Sequence, residues 1–288
     1  MKEEIKAWKI LELLKVTEGL FREKKIDNPR LNAELILSSI LKSKRIDLYL
    51  DFEKPLSEAE LSQFREKVKR RLNREPLQYI IGETEFYGLK FKVNPSVLIP
   101  RTETELLVDK ALEILIHNRL ENPKILEIGT GSGCIAISIT SRLKCTIDAI
   151  DTSDDALKTA KLNSDFNNTT RRVNFIKKNI LSDFSNFNEY DLVISNPPYI
   201  EAGEIQTLAD EIKNFEPMKA LTDNAGGLVF YRKFIEIAKN TQGKVRLLLE
   251  IGDNKKEKVE NLLRESKIQN FEFFKDLLNI YRVVYIEL

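Results

Sequence analysis

Two regimes of hydrophobic spacing divide this chain. Through residues 1 to about 75, leucines and isoleucines recur at intervals of three and four among charged residues, with no strand-like alternation of any length, which predicts an all-helical domain over residues 1–75. Two helix starts are explicit. Asn28-Pro29 reads as an N-cap followed by proline at the first helical position, and Ser57-x-x-Glu60 reads as a capping box flanked by a Leu56/Leu61 staple. From Glu75 the pattern changes: Tyr79-Ile80-Ile81-Gly82, then Phe86 to Val93 with apolar residues set between lysines, predict a β-hairpin connector over residues 76–98. Pro100-Arg101-Thr102-Glu103-Thr104-Glu105 then opens a helix carrying Leu106, Leu107, Ala111, Leu112 and Leu115, with its acids in the first turn as the helix dipole prefers.

Over residues 99–288 strand and helix alternate. Strands are expected at Ile125 to Ile128, Thr146 to Ile150, Val173 to Lys177, Tyr190 to Ser195 and Val245 to Glu250. Short apolar runs separated by helices imply a mostly parallel sheet covered on both faces. Phe271 to Phe274 and Tyr281 to Ile286 stand close together with only a short loop between them, so they should pair antiparallel at one edge. The fold class is therefore α/β, a parallel sheet with an antiparallel edge hairpin, preceded by a small all-helical domain.

Composition narrows the chemistry. Lys and Arg total 46 against 45 Asp and Glu, a net charge of +1, which argues against a surface that grips nucleic acid or anionic membrane throughout. Cys134 and Cys145 are the two cysteines and form no Cys-x-x-Cys pair, and His117 is the single histidine, expected near a helix end. A disulfide framework, a thiolate or histidine metal site, a Ser-His-Asp triad and a Cys-His dyad are all excluded. The opening Met1-Lys2-Glu3-Glu4 carries acids and no long apolar stretch, so neither a signal peptide nor a membrane anchor is expected, and the protein should stay in the cytoplasm. Lys67, Arg70, Arg71 and Arg74 fall on one helical face, read as a solvated face or as a contact surface for an acidic or RNA-containing partner.

The most telling residues are Asn196-Pro197-Pro198-Tyr199, at the end of the run Tyr190 to Ser195. Each proline lacks an N–H and fixes φ, so the backbone after the strand is rigid. The Asn196 side-chain oxygen and the Pro197 carbonyl can both point at one planar NH2 group, while the Tyr199 ring offers a face to a flat π-system. Earlier in the chain, Glu127-Ile128-Gly129-Thr130-Gly131-Ser132-Gly133 follows the first strand of the sheet and opens a helix, so backbone can approach a ligand while helix N–H groups face it. Gly131-x-Gly133-x-x-Ala136 also satisfies the dinucleotide fingerprint. The Gly-x-Gly-x-Gly spacing, the acid two residues before Gly129 and Asp151 ending the next strand, 22 residues beyond Gly129, suit S-adenosylmethionine better, with Asp151 accepting from the ribose hydroxyls. Asn179, just after the third strand, is a candidate for the adenine edge. All of these lie at the carboxyl ends of strands, where open α/β sheets bind ligands, so loop and clamp should form one site.

Such a site predicts methyl transfer to an amino group in a conjugated amide or base, whose delocalised lone pair makes it a poor nucleophile that must be placed in line. The whole chain resembles the release factor glutamine methyltransferases, the PrmC/HemK family. The likeness runs through Glu75-Pro76-Leu77-Gln78-Tyr79-Ile80-Ile81-Gly82, Leu98 to Glu105, the Gly129 loop, Asn196 to Ile200 and Phe215-Glu216-Pro217. It departs from many members at Thr102 and at Asn179-Ile180. The resemblance implies a Rossmann-like class I methyltransferase sheet, S-adenosyl-L-methionine as cofactor, and the glutamine of the Gly-Gly-Gln loop of class 1 peptide chain release factors as substrate. It also implies that Asn196 and Tyr199 form the clamp and that Gly129, Thr130, Gly131, Ser132, Gly133 and Asp151 contact the cofactor; the reading of the residues themselves adds Pro197 to the catalytic set, Asn196, Pro197, Pro198 and Tyr199 as substrate contacts, and Asn179 and Asn196 as further cofactor contacts. The N-terminal helices would grip the release factor. The rivals are an adenine-N6 DNA or guanine-N2 RNA methyltransferase, which would call for a recognition domain and a basic cleft not evident here, and a non-catalytic cofactor-binding scaffold, against which the intact clamp argues.

Overall fold

The computed structural model describes residues 8–288; Met1-Lys2-Glu3-Glu4 lies outside the described residues. The chain divides into two compact units, Met1–Gly82 with Asp210–Phe215, and Glu83–Ala209 with Glu216–Leu288.

The first unit is helical: α1 (Ile10–Glu23), α2 (Pro29–Leu41), the short α3 (Asp47–Leu50), α4 (Glu58–Leu72) and α5 (Leu77–Ile81). The apolar stripes expected from the spacing meet in one core that includes Leu14, Phe21, Leu37, Phe64 and Ile80. The Ser57 capping box forms as expected, and Leu56 and Leu61 are buried beside it. Pro29 is the first helical residue, but Asn28 sits in the left-handed region and its side chain caps nothing. The expected strand at Tyr79 to Gly82 is instead the helix α5, because Ile80 joins the helical core while Tyr79 is buried as well. The expected boundary near residue 75 therefore differs from the end of this unit at Gly82.

The basic stripe of α4 is in part turned to its own unit rather than to solvent. Arg71 is buried, its Nε donating to Asn32 Oδ1 at 2.7 Å and its guanidinium pairing with Glu211 at 2.8 Å. Arg70 forms a bidentate pair with Glu75, Arg74 donates to the Lys25 carbonyl and Lys67 donates to Ser39 Oγ. These side chains are spent on holding their own unit together.

The second unit begins with the hairpin β1 (Glu83–Phe86) and β2 (Leu89–Lys92). After α6 (Glu105–His117), which ends on His117, come β3 (Lys124–Ile128), α7 (Cys134–Arg142), β4 (Thr146–Asp151), α8 (Asp154–Phe166), β5 (Val173–Lys177) and β6 (Leu192–Ser195). Two short helices follow, α9 (Asp210–Phe215), which belongs to the helical unit, and α10 (Met218–Leu221). The chain closes with α11 (Val229–Lys239), β7 (Arg246–Glu250), α12 (Lys256–Glu265), β8 (Phe271–Lys275) and β9 (Tyr281–Glu287). The sheet order is β5-β4-β3-β6-β7-β9-β8, parallel from β5 to β7 and antiparallel thereafter. Alternation along the strands builds a core on each face: Leu192 and Ile194 pack with Leu107 and Ile137, and Val193 packs with Phe234 and Leu263. The order reverses direction between β4 and β6 on either side of β3, which opens a crevice at the carboxyl ends of those strands. Among the described residues no helix is long and apolar enough to cross a membrane.

Candidate active site

A cavity of about 580 Å³ occupies that crevice, and its walls are made in two different ways. The first wall is local. After β3 the backbone turns through Gly129 (φ +75°) and Gly131 (φ +54°), the left-handed conformation that favours glycine. The Gly129 and Thr130 N–H groups both donate to the Ile150 carbonyl, at 2.9 and 3.0 Å, tying the turn to the end of β4. Asp151 is then fixed by two backbone donors, Gly131 to Oδ2 at 3.0 Å and Ser153 to Oδ1 at 2.9 Å. Each carboxylate oxygen keeps further acceptor capacity for ligand hydroxyls. Beneath the turn Glu127 is fully buried, accepts from Thr130 Oγ1 at 2.7 Å, and is pushed by burial up to a pKa of about 8.

The second wall is assembled from distant segments. Ser195 Oγ donates to the Ile128 carbonyl at 2.7 Å, joining the ends of β6 and β3. Asn196 follows, and its Nδ2 donates to Thr104 Oγ1 at 3.2 Å. Opposite, the Arg101 guanidinium pairs with the buried Glu216 carboxylate at 2.6 Å, pinning the Pro100-Arg101 strand of chain to the loop that carries Pro217 and Met218. The Ile200 N–H donates to the Leu221 carbonyl at 3.0 Å, which fixes the clamp segment against the same loop. Glu250, at the end of β7, is buried and raised to a pKa of about 7, chiefly by burial, with the Thr104 hydroxyl and Arg282 acting the other way.

The cavity brings together Gly129, Thr130, Gly131, Ser132, Asp151, Asn179, Asn196, Pro197 and Pro198. Asn179 stands there with its side-chain oxygen committed to its own turn, accepting from the Leu181 N–H at 3.0 Å. Two candidates stand off the wall. Gly133 starts α7, where a Cβ would come within 3.0 Å of Ile137 Cδ1 and 3.2 Å of Ala160 Cβ, so this glycine lets α7 pack against α8. The Tyr199 ring lies against Gly252, where a Cβ would sit 2.7 Å from its Cδ2, and its hydroxyl is 3.5 Å from Glu250 Oε1. Burial raises the Tyr199 pKa, so the phenol stays neutral. Sequence reasoning assigned no role to Thr104, Glu216 or Glu250. One signal was available for Glu250, since it ends an apolar strand with an acid at the carboxyl edge, as Asp151 does.

This donor set fits S-adenosylmethionine. A pre-fixed carboxylate can accept from a ribose, and at Gly129 and Gly131 a Cβ would meet no atom within 4 Å. Ile128, Ala156, Ile180 and Leu181 give the same end of the cavity an apolar lining suited to a base.

Residues 12–82 match the PrmC N-terminal domain family and residues 104–230 the methyltransferase small domain family. The release factor glutamine methyltransferase of Chlorobaculum tepidum is 46% identical over 230 residues, covering 77% of this chain and 78% of that protein. That of Flavobacterium psychrophilum is 36% identical over 277 residues and covers 95% of both chains. In fold, the chain is similar to the hMettl16 catalytic domain solved in complex with MAT2A 3'UTR hairpin 6, with a TM-score of 0.53 at 16% identity over 81% of this chain and 84% of that one.

Proposed function

This chain belongs to the release factor glutamine methyltransferase family, and we infer that it transfers the methyl group of S-adenosylmethionine to the side-chain nitrogen (N5) of the glutamine in the Gly-Gly-Gln loop of class 1 peptide chain release factors. The observation that carries this reading is the state of the Asn196 amide: its Nδ2 is taken by Thr104, which leaves Oδ1 as the atom available to an incoming N–H beside Pro197. An acceptor there suits an amide NH2, which offers two protons and a lone pair delocalised into its carbonyl. When bound, S-adenosylmethionine supplies an electrophilic methyl on a sulfonium. The task of the protein is placement. Asn196 Oδ1 and the Pro197 carbonyl would accept hydrogen bonds from the two amide N–H groups while the diproline keeps this segment rigid, so that the nitrogen would be presented in line to the methyl group. Asp151 would hold the ribose and the Gly129 turn would hold the methionine end. Tyr199, braced between Gly252 and Glu250, fixes the clamp from behind. The helical unit supplies the grip on the release factor away from the reacting glutamine.

The test is incubation with isotopically labelled S-adenosylmethionine and four separate substrates: a class 1 release factor, the same factor with its loop glutamine replaced, duplex DNA and ribosomal RNA. Label on the intact factor alone, mapped to that glutamine by peptide mass spectrometry, is the expected result. Label on either nucleic acid would move the enzyme to the base methyltransferases.

A further inference from the structure

The Asn196 clamp works only if the amide is turned with its oxygen toward the cavity, and nothing in the Asn196-Pro197-Pro198-Tyr199 segment itself decides that orientation. An asparagine amide rotated by half a turn has nearly the same shape and would present two N–H donors to a substrate NH2, which repels it. Thr104 touches the Asn196 amide, and a threonine hydroxyl is ambivalent: it has one proton to give and lone pairs to accept with. Which way Thr104 is turned therefore decides which way Asn196 is turned.

Behind Thr104 stands Glu250. It is 2% exposed, its Oε1 faces the Tyr199 hydroxyl at 3.5 Å, and its Oε2 has no hydrogen-bond partner. The pairing of Ser195 with Leu249 brings Asn196 and Glu250 side by side at the ends of β6 and β7, and the Thr104 hydroxyl on Asn196 favours the charged form of this carboxyl group without closing a hydrogen bond to it. A buried carboxylate is acceptor-only, and leaving one of its oxygens without a donor is costly. We propose that Glu250 and Thr104 are positioning residues that set the polarity of the clamp: Glu250 draws the single Thr104 hydroxyl proton toward itself, Thr104 Oγ1 can then only accept from Asn196 Nδ2, and Asn196 Oδ1 is thereby directed at the substrate nitrogen. Glu250 stands off the cavity wall, and Thr104, which lines the cavity, acts here through Asn196. Thr104 comes from the chain before α6 and Glu250 from the end of β7, so three sequence-distant segments share one proton order. The inference rests on Asn196 acting as the acceptor proposed above, and it adds what enforces that role.

The experiment measures kcat, KM for the release factor and cofactor affinity for the full chain at about pH 9, above the value of about 7 to which burial raises Glu250. Thr104→Val keeps the shape and removes the hydroxyl. It is expected to lower kcat about 10- to 100-fold, with cofactor affinity changed by less than about threefold. Thr104→Ser restores the hydroxyl and should restore kcat to within about threefold of the parent. Glu250→Gln, whose amide no longer forces one proton order, should also lower kcat, and combining it with Thr104→Val should produce little further loss. In an Asn196→Ala background Thr104→Val should change nothing more. An undiminished kcat in Thr104→Val, equal loss in the serine variant, or losses that multiply in either double variant would overturn the positioning role. If Asn196→Ala itself were fully active, the clamp reading would fall instead, so the two failures are distinguishable. Cofactor affinity measured by calorimetry on each variant guards against a folding defect, since an unfolded chain would lose it.

Discussion

The two walls of the cavity reach the same rigidity by different means. The cofactor wall is one stretch of chain from Ile128 to Ser153 spanning two adjacent strands, and what holds it is backbone: N–H groups of Gly129 and Thr130 on the Ile150 carbonyl, N–H groups of Gly131 and Ser153 on Asp151. The second wall draws on Arg101, Thr104, Asn196, Glu216 and Glu250, and side chains hold most of it, with the Ile200 N–H on the Leu221 carbonyl as a backbone tie. Backbone-held sites tolerate exchange of most side chains but demand glycine where φ is positive. Side-chain-held sites fail when any one partner is removed, because a buried partner is left unsatisfied. On the proposed assignment, the comparison teaches where each function would be vulnerable: cofactor binding at a few local residues, and placement of the substrate nitrogen at long-range contacts.

Four substitutions probe that division, in falling order of effect. Asn196→Ala removes the acceptor itself, and kcat should fall by about 10²- to 10³-fold while calorimetric cofactor affinity stays within about threefold. Full turnover would show that the assembled wall plays no part in the chemistry. Asp151→Ala should do the reverse, weakening cofactor affinity by about 10- to 100-fold with kcat nearly kept once cofactor is saturating, because on the proposed assignment its oxygens bind hydroxyls and touch no reacting atom. Unchanged affinity would discard the ribose assignment.

Glu216→Ala leaves Arg101 without its partner and frees the Pro217 loop, so we expect a loss of about 2 kcal/mol in urea denaturation, discounted because the Arg101 side chain is 31% exposed. A stability equal to the parent would mean that the loop is held by its backbone, like the other wall. The smallest effect is the pH dependence contributed by Glu127. Burial lifts its carboxyl from the ordinary value of 4.5 to about 8, with Asp151 acting in the same direction and Thr130 and the Ala136 backbone against it. Between those values the folded chain binds a proton that the unfolded chain has released, so this group makes stability fall as pH rises across that window. Glu127→Gln should therefore melt a few degrees higher than the parent near pH 9 and show a smaller gap near pH 5. A gap that does not grow with pH would mean Glu127 is ionised in the folded protein.

The difference between the walls also marks what could be read in advance. The glycine turn, Asp151 and the strand alternation are local patterns, and each followed from spacing alone. Asn196 and the prolines were legible because they interrupt an apolar strand. Arg71 was misjudged because helical spacing places it on a face and says nothing of what packs there; in the structure Asn32 and Glu211 cover it. The strand expected at Tyr79 to Gly82 failed for a similar reason, since a short apolar run forms a helix or a strand according to the core it joins. Tyr199 was expected to offer a ring face, and its ring lies on Gly252, a residue 53 positions away.

The order of helical and α/β regions, the parallel sheet and the cofactor turn were determined by the sequence by itself, because hydrophobic period, capping and glycine conformation act between residues a few positions apart. Tertiary structure alone decided which strand lies in the middle, that Thr104 meets Asn196, and that Glu216 meets Arg101. Those contacts join residues about a hundred positions apart, and their energies arise from burial that exists once the sheet has closed.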